Sequence, residues 1–324
     1  MTPVLQVENL TTSFFTGAGE VKAVNGVSFA VERGEVLGIV GESGSGKSVT
    51  GFSIMGLVSP PGRVTGGRIL FNGRNLVGLP EAEWRKLRGH RIAMVFQDPM
   101  TTLNPVLRID TQMIEAIQAH ERVSRRAADA RAREALAKVG IPDPASRIKA
   151  YPHQLSGGMR QRVAIAIALL HGPDVLIADE PTTALDVTIQ GQILAEVQTL
   201  CRETGTALVW ITHDLAVVAG LANRIAVMYG GRIVEEGDVD DVLDAPRHPY
   251  TRGLIDSLPE HGSHGGRLRQ IPGRAPAPHE TPPGCAFAPR CAFADEACAT
   301  PPPVQVFGSG RGVRCVRPLP GSNQ

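Results

Sequence analysis

Eight residues near the N-terminus have the types and spacing of a phosphate-binding loop. They are Gly41-Glu42-Ser43-Gly44-Ser45-Gly46-Lys47-Ser48, which fits the pattern G-x-x-x-x-G-K-[ST]. In such a loop the glycines let backbone N–H groups surround phosphate oxygens, the lysine reaches the terminal phosphates and the serine hydroxyl holds Mg²⁺. The apolar run 36–40 before the loop predicts a buried strand, and residues 49–57 predict a helix. The sequence therefore predicts a site for a nucleoside triphosphate with Mg²⁺.

Two adjacent carboxylates follow another apolar run. Residues 175–178 predict a buried strand, and Asp179 and Glu180 come directly after it. Open α/β sheets place their ligands at the carboxyl ends of strands. Asp179 suits a magnesium ligand that acts together with Ser48, and Glu180 is then available to polarise a water molecule against the γ-phosphate. The alternative is an Asp-Glu turn on the protein surface.

A glutamine and a histidine also stand at the ends of predicted strands. Gln97 follows the apolar run 92–96, and an amide at that place can ligate Mg²⁺ or hold the attacking water. His213 comes two residues after the run 207–211, and its ring can hydrogen-bond the γ-phosphate. On spacing alone, each of the two has a purely structural role as its alternative.

A second helix end suited to anions is predicted further along the chain. In Leu155-Ser156-Gly157-Gly158-Met159 the serine can cap the apolar helix 163–170, while the glycines expose the N–H groups of its first turn. One chain therefore carries two loops that suit phosphate. Because the second loop lies outside the predicted phosphate-loop core, the two loops do not easily serve the same nucleotide.

The segments around these motifs predict an α/β protein. Short apolar runs between residues 4 and 40 predict a set of short antiparallel strands, with Phe14 and Phe15 among them. Either ring can stack on a nucleobase or fill the core. Residues 112–139 are dominated by Ala, Arg and Glu, which predicts a helical subdomain inserted into the α/β core.

Composition excludes several classes of function. The net charge of +1 and the dispersed arginines give no electrostatic footprint for nucleic acid, so we expect no nucleic-acid partner. The first residues have neither a basic region nor an apolar region of a signal peptide, and no window approaches the roughly 18 apolar residues of a membrane span. We therefore expect the protein in the cytosol, where thiols stay reduced.

The C-terminal segment differs in composition and carries a set of four cysteines. Of the 25 prolines, 14 lie between residues 246 and 324, so a folded core built from long helices and strands is not expected there. The cysteines are Cys285, Cys291, Cys298 and Cys315. Four thiols in such a segment suggest a metal centre that replaces a hydrophobic core. The candidates are a [4Fe–4S] cluster or a Cys₄ zinc site, with unligated thiols as the alternative.

The order of the motifs resembles the nucleotide-binding subunits of ABC transporters. The matching motifs are the Walker A loop 41–48, the Q-loop at Gln97, the signature at 155–159, the Walker B strand 175–180, the D-loop at Asp186 and the H-loop at His213. The resemblance covers roughly residues 4–245. In that family two nucleotide-binding domains pair head to tail, and each ATP lies between the Walker A loop of one chain and the signature of the other. That arrangement would give both phosphate loops a role.

The resemblance also implies roles for single residues. Phe14 takes the place of the aromatic residue that stacks on adenine, although tyrosine is more common there. Ser48, Gln97 and Asp179 would surround Mg²⁺, Glu180 would be the general base or water-orienting carboxylate, and His213 would contact the γ-phosphate. The signature differs from its commonest form by Met159, where glutamine is usual. We expect no loss of function from that change because the serine and glycine N–H groups make the phosphate contacts.

The C-terminal stretch 247–254 resembles the extension of the oligopeptide and dipeptide importer branch of the family. The resemblance to that branch favours a [4Fe–4S] cluster over Zn²⁺ at the four cysteines of this chain. It implies a P-loop NTPase core with an N-terminal antiparallel β subdomain, an inserted helical subdomain at about 98–170 and an irregular C-terminal extension. The expected boundaries are 1–245 for the nucleotide-binding domain and 246–324 for the extension.

The resemblance implies a transport ATPase at the cytoplasmic face of the inner or plasma membrane, attached peripherally. Its partners would be a second ABC ATPase subunit, identical or paralogous, two transmembrane permease subunits and an extracytoplasmic substrate-binding protein. Permeases dock on the segment after the Q-loop, which here holds Met100, Leu103 and Val106. Nickel, glutathione or efflux transport are the alternatives, and a soluble ABC ATPase without a transport function is a more distant one.

Overall fold

The chain folds as two units, each assembled from separate segments. The computed structural model describes residues 3–17, 19–98, 102–182, 187–258, 270–308 and 310–321. The first unit comprises residues 1–5, 31–35 and 78–210, and the second comprises residues 6–30, 36–77 and 211–324. None of the helices in the described ranges combines the length and the apolar character needed to cross a lipid bilayer.

The second unit begins with a four-stranded sheet in the order β2-β1-β4-β5. Its strands are β1 (Leu5–Thr16), β2 (Gly19–Val31), β4 (Gly62–Phe71) and β5 (Arg74–Asn75). The prediction of several short strands between residues 4 and 40 is wrong in their length, because β1 and β2 have 12 and 13 residues. The polar residues that interrupt the apolar runs lie on half-exposed positions of these strands and do not end them.

The second unit also contains the strand that leads into the phosphate loop. Strand β3 (Val36–Val40) is buried at every position and pairs in parallel with β9 (Arg224–Tyr229). Next to β9 lie β10 (Arg232–Asp238), β12 (Arg311–Val313) and β11 (Gln305–Phe307), each antiparallel to its neighbour. The helices of this unit are α1 (Lys47–Ile54), α8 (Leu215–Leu221), α9 (Val239–Asp244) and α10 (Pro249–Asp256). The predicted strand, loop and helix order around the glycine-rich octapeptide is therefore observed.

The first unit contains the strands that precede Gln97 and Glu180. Strand β6 (Ile92–Val95) pairs in parallel with β7 (Val175–Asp179), and β8 (Ala207–Thr212), whose last two residues belong to the second unit, lies on the other side of β7. All residues of β6, β7 and β8 are buried. Two further helices are α2 (Glu81–Leu87) and α7 (Val187–Thr204). Near-continuous apolar runs are typical of parallel strands that are covered on both faces.

A helical region follows β6, as the composition predicts. Its helices are α3 (Ile109–Gln118), α4 (Arg125–Lys138), α5 (Pro144–Arg147) and α6 (Gly157–Leu169). The hydroxyl of Ser124 caps α4, and the buried residues Ala128, Ala132 and Leu136 recur every four positions along it. Short side chains on this stripe let α4 pack closely, while its arginines and glutamates remain on the polar face.

One buried carboxylate fastens the C-terminal segment to the second unit. Glu235 in β10 has no exposed surface and accepts hydrogen bonds from the backbone N–H groups of Arg247 and His248 at 2.8 and 2.9 Å. The guanidinium of Arg311 in β12 donates to the same carboxylate, with Nε at 3.1 Å. Besides α10, β11 and β12, the segment contains short 3₁₀ turns at Pro278–Glu280, Ala288–Arg290 and Glu296–Ala299. A buried ion pair therefore contributes to the attachment of the segment.

We expect Arg311→Ala to destabilise the second unit by about 3–5 kcal/mol, because removal of one partner leaves the buried Glu235 charge uncompensated. The free energy of unfolding from urea titration measures the effect. As a control, Arg68→Ala removes an ion pair with Glu8 in which the arginine side chain is 63% exposed, and it should cost about 1 kcal/mol or less. Equal losses in the two variants would contradict this account of Glu235.

Candidate functional site

Two positions of the loop 41–46, Gly41 and Gly46, have no room for a side chain. Gly46 has φ 100°, and a Cβ on it would lie 2.4 Å from the carbonyl oxygen of Ala23. A Cβ on Gly41 would lie 2.2 Å from the carbonyl oxygen of Met228. Both contacts are far closer than van der Waals distances, so the loop is pressed against neighbouring backbone. This close approach keeps the loop N–H groups at the start of α1 in one arrangement, which a phosphate-binding loop requires.

The lysine of the loop reaches back across it. Lys47 is buried, and its Nζ donates hydrogen bonds to the carbonyl oxygens of Gly41 at 2.8 Å and Glu42 at 3.1 Å. Ser45 Oγ is buried too, and it has no hydrogen-bond partner among the described residues. A buried ammonium and a buried, unpartnered hydroxyl in one glycine-rich loop fit a polyphosphate ligand, which would accept from both. Ser48, the second residue of α1, is half-buried beside them.

The ends of the parallel strands β6 and β7 bring a glutamine and a glutamate together. Gln97 lies two residues after β6 and Glu180 directly after β7. Gln97 Nε2 donates a hydrogen bond to Glu180 Oε2 at 3.2 Å. Glu180 has φ 45°, a left-handed conformation that costs a residue other than glycine roughly 1–2 kcal/mol. Strained residues of this kind cluster at functional sites, where the surrounding structure fixes them.

The oxygen donors predicted for Mg²⁺ are the Ser48 hydroxyl, the Gln97 amide and the Asp179 carboxylate. Asp179 is the last residue of β7 and is only 3% exposed. Magnesium is bound in proteins by oxygen ligands of these kinds, together with substrate phosphates and water. The chemistry of the donor set therefore fits the ion.

The predicted second anion site is the start of α6. Ser156 precedes the helix, and its Oγ accepts a hydrogen bond from the N–H of Met159 at 3.3 Å. Leu155 is buried, and its carbonyl oxygen accepts from the guanidinium of Arg160 at 2.7 Å. Gly157 and Gly158, which form the first turn of α6, are half-exposed. The first unit thus presents a capped helix N-terminus with small residues in its first turn.

His213 directly follows β8 and is exposed. Its neighbours are fixed by local hydrogen bonds, because the Asp214 carboxylate caps α8 by accepting from the N–H of Ala216 at 2.9 Å, and Thr212 Oγ1 accepts from the N–H of Asp214 at 3.1 Å. The histidine is therefore held at a strand end in a turn with a defined backbone.

The residue predicted for the D-loop, Asp186, lies outside the described residues.

The two candidate aromatic rings have different surroundings. Phe14 is half-buried and packs against Gly62, where an added Cβ would lie 2.5 Å from the ring. Phe15 is 40% exposed, and the guanidinium of Arg63 lies over its ring at 4.4 Å from the centroid. A cation already occupies one face of the Phe15 ring, so Phe15 offers less free surface to a base.

The four C-terminal cysteines converge. Cys285, Cys291, Cys298 and Cys315 all line one cavity of about 10 Å³, which they share with His248 and Phe287. Burial raises the pKa of the Cys285 and Cys291 thiols, and it raises the pKa of Cys315 to about 11. In number and identity the thiols fit a metal centre. Their positions do not, because the described residues include no group of three or more His, Cys, Asp or Glu side chains arranged to hold an ion.

Cys201 differs from this set. It is buried in α7, and burial raises the pKa of its thiol to about 12. It therefore behaves as a small apolar residue, as expected from its place in a predicted helix.

Two of the three residues predicted to contact a permease lie in the described part of the chain. Leu103 is buried, so it packs inside the first unit. Val106 is 75% exposed and remains available to a partner. Met100 lies outside the described residues. Spacing could not separate Leu103 from Val106, because both are apolar residues in a segment without periodicity.

Sequence reasoning missed the contact between the C-terminal segment and the phosphate loop. Arg290 forms a double ion pair with Glu42, and the Tyr250 hydroxyl accepts a hydrogen bond from the Glu42 N–H at 2.9 Å. The stretch 247–254 drew attention to Tyr250, but no local pattern points from Arg290 to a residue 248 positions away.

Two family models match the sequence. The first, described as ABC transporter, matches residues 24–183, and the second, described as the C-terminal region of oligopeptide/dipeptide transporters, matches residues 234–298. Similar curated proteins match over most of their length. The chain is 48% identical over 316 residues to the oligopeptide transport ATP-binding protein OppD of Escherichia coli K12, covering 98% of this chain and 94% of that protein.

Two dipeptide transport ATP-binding proteins named DppD are equally similar. The protein from Escherichia coli K12 is 49% identical over 317 residues, which cover 98% of this chain and 97% of DppD. The protein from Bacillus subtilis 168 is 53% identical over 292 residues, which cover 90% of this chain and 87% of DppD. The similarity therefore includes both the motif-bearing part and most of the C-terminal segment.

Solved structures match in fold. The dimeric structure of MJ0796, a bacterial ABC transporter cassette, has a TM-score of 0.66 and 30% sequence identity, covering 72% of this chain and 98% of MJ0796. A dimeric post-hydrolysis state of the same cassette, bound to ADP and Pi, matches with the same TM-score and coverage. The expected P-loop NTPase fold is thereby confirmed.

We expect Gly46→Ala to abolish nucleotide binding, because the new methyl group would meet the Ala23 carbonyl oxygen and displace the loop. Gly44→Ala is the matched control: Gly44 also has a positive φ, 81°, but a Cβ there would meet nothing within 4 Å. It should weaken binding much less, since only backbone strain is added. Titration with a fluorescent nucleotide and Mg²⁺ measures both variants. Equal binding by the two would contradict the steric account of the loop.

Proposed function

The chain belongs to the ABC transporter family, and from this premise we propose that it is the ATP-hydrolysing subunit of an importer for dipeptides, oligopeptides or related small solutes. The observation that carries the proposal is the near full-length similarity to OppD and DppD, which includes the oligopeptide/dipeptide C-terminal region at residues 234–298. A cassette shared with all ABC ATPases would leave the direction and the class of cargo open. The C-terminal region is what favours peptide import.

We propose that ATP binds at the loop 41–48, with its phosphates on the backbone N–H groups, on Lys47 and on the hydroxyls of the loop. The proposed loop ligands are Gly41, Glu42, Ser43, Gly44, Ser45, Gly46, Lys47 and Ser48. The support is the buried Lys47 ammonium, which would exchange its two carbonyl partners for phosphate oxygens. Phe14 is the proposed base-stacking residue, because in the described part of the chain a cation lies over the ring of Phe15 but not over that of Phe14.

We propose that Ser48, Gln97 and Asp179 are the protein ligands of Mg²⁺, which would neutralise charge on the β- and γ-phosphates. Glu180 then acts as the general base or orients the attacking water. Its hydrogen bond from Gln97 supports this role, because the amide fixes the position of the carboxylate. His213 is the proposed γ-phosphate contact, since it stands at a strand end in a fixed turn.

We propose that the signature, Leu155 to Met159, binds the ATP of a second ABC ATPase subunit, either another copy or a paralogue. The capped and half-exposed N-terminus of α6 supports this role because its N–H groups suit an anion. Asp186 is the proposed D-loop residue at the same interface. ATP would then hold two subunits together, and hydrolysis would release them.

The other proposed partners are two transmembrane permease subunits and an extracytoplasmic substrate-binding protein. The names of OppD and DppD as transport ATP-binding proteins support such an assembly. The exposed Val106 is a candidate permease contact in the segment after Gln97. Such partners would place the chain peripherally at the cytoplasmic face of the membrane. We propose that residues 1–245 form the nucleotide-binding domain, with an inserted helical subdomain at about 98–170, and that residues 246–324 form the C-terminal extension.

We propose a [4Fe–4S] cluster, with Zn²⁺ as the alternative, at Cys285, Cys291, Cys298 and Cys315. The convergence of all four thiols on one cavity supports a shared ligand. Such a centre would cross-link the two short 3₁₀ turns near Cys291 and Cys298 to the end of β12 near Cys315. The cysteine positions in the structure would have to shift before the four thiols could surround a cluster.

We expect Glu180→Gln to lower the rate of ATP hydrolysis by roughly 10²–10⁴-fold while nucleotide binding persists, because the amide keeps the shape of the side chain but loses its basicity. Steady-state hydrolysis by the assembled complex and nucleotide binding measure the two effects. Glu134→Gln, an exposed change in α4, is the control and should hydrolyse ATP at the normal rate. A normal rate in Glu180→Gln would remove Glu180 from the catalytic role.

We expect the full chain, purified without oxygen, to be brown and to contain iron and acid-labile sulfide. Cys298→Ala should lose both, because one of four ligands is gone, whereas Cys201→Ala should keep them. Visible absorbance and metal analysis measure the outcome. A colourless protein with one equivalent of zinc would contradict the cluster and support the zinc alternative, and a metal-free protein would contradict both.

A further inference from the structure

A carboxylate lies inside the phosphate loop, and an arginine of the C-terminal segment is paired with it. Both terminal nitrogens of Arg290 donate to Glu42, with Nη1 at 2.7 Å from Oε2 and Nη2 at 3.1 Å from Oε1. The Arg290 side chain is only 7% exposed and that of Glu42 is 29% exposed. A two-point pair that is largely shielded from water is stronger and more directional than a surface ion pair.

The Arg290 guanidinium is fixed by further contacts, all within the second unit. Its Nε donates to the carbonyl oxygen of Pro272 at 2.8 Å, and its Nη1 also donates to the Tyr229 hydroxyl at 3.2 Å. Arg290 closes the 3₁₀ turn 288–290, and Cys291 follows it directly. The position of the guanidinium is therefore set by the C-terminal segment and does not depend on Glu42 alone.

The backbone of Glu42 is held by the same segment. The Tyr250 hydroxyl accepts the Glu42 N–H at 2.9 Å. Tyr250 packs against Tyr229 and Phe287, with ring centroids at 4.5 and 5.3 Å, and all three rings are buried. Phe287 lies three residues before Arg290. One aromatic cluster thus supports both the hydroxyl that holds the Glu42 backbone and the segment that carries the arginine.

The negative charge of Glu42 opposes binding of the proposed ligand, MgATP. ATP brings several negative charges to the loop 41–48, and a carboxylate within that loop repels them. Mg²⁺ and Lys47 act on the phosphates themselves, whereas Arg290 acts on the carboxylate. Because Arg290 is paired at both nitrogens and shielded from solvent, its positive charge offsets that of Glu42 at short range and salt screens the pair only weakly.

We propose that Arg290 is a positioning residue of the nucleotide site, which fixes and neutralises the Glu42 carboxylate so that it does not repel the phosphates of MgATP. The C-terminal segment is then part of the nucleotide site and not only an appendage to the cassette. The inference rests on the proposed function, since it takes MgATP as the ligand of the loop. It adds a residue that none of the ABC motifs contains.

The test compares Arg290→Gln, Glu42→Gln and the double variant in the full chain. Arg290→Gln is expected to weaken MgATP binding roughly tenfold or more and to raise KM, with kcat in the assembled complex changed by less than about threefold. The double variant is expected to regain most of the lost affinity, because no unbalanced carboxylate remains. Glu42→Gln alone is expected to bind MgATP more tightly, since the Arg290 charge is then unopposed. Arg317→Gln, which removes a 71% exposed arginine from the same segment, is the control.

The outcomes distinguish neutralisation of Glu42 by the Arg290 charge from a purely structural role of the Arg290 side chain. No rescue in the double variant, or an unchanged affinity in Arg290→Gln, would overturn the proposal. Weaker binding by Glu42→Gln would overturn it as well, and this arm remains decisive if Arg290→Gln does not fold. A wild-type chain that binds no MgATP would instead contradict the proposed function itself, so the two failures are distinguishable.

Discussion

The structure depends on how closely the phosphate loop is pressed against its neighbours. The backbone at Gly41 and Gly46 approaches the carbonyl oxygens of Met228 and Ala23 so closely that no Cβ fits, and Lys47 closes the loop through its carbonyls. A loop in this state has its N–H groups arranged before the ligand arrives, so little ordering remains to oppose binding. Tyr250 and Arg290 of the C-terminal segment contact the same loop through Glu42.

A second local constraint lies in the first unit, at the residues that we propose for catalysis. The parallel register of β6 and β7 places Gln97 and Glu180 at neighbouring strand ends, where they hydrogen-bond. The left-handed backbone of Glu180 directs its carboxylate at the cost of local strain. The same unit carries the capped helix α6, whose N-terminus suits the anion of a second subunit. The residues that we propose for phosphate binding and for water activation thus lie in segments far apart in the sequence.

Local sequence patterns predicted most of the elements and motif positions. The features that they did not predict depend on contacts between residues far apart in the sequence. The strand-loop-helix around Lys47 follows from a short apolar run and the glycines after it, and Gln97, Glu180 and His213 each follow the end of a strand. The N-terminal strands were longer than predicted because half-exposed polar residues continue β1 and β2. Leu103 proved buried and Val106 exposed, which depends on tertiary packing. The pairing of Arg290 with Glu42 joins residues that no local pattern connects.

The central claim is that MgATP binds on the backbone of the loop 41–48. Hydrogen exchange of the full chain, measured by mass spectrometry with and without a non-hydrolysable MgATP analogue, tests it most directly. The account predicts that the amides of residues 43–48 become strongly protected, since their N–H groups would then bond to phosphate. Tight nucleotide binding that leaves these amides unprotected and protects another part of the chain would contradict it.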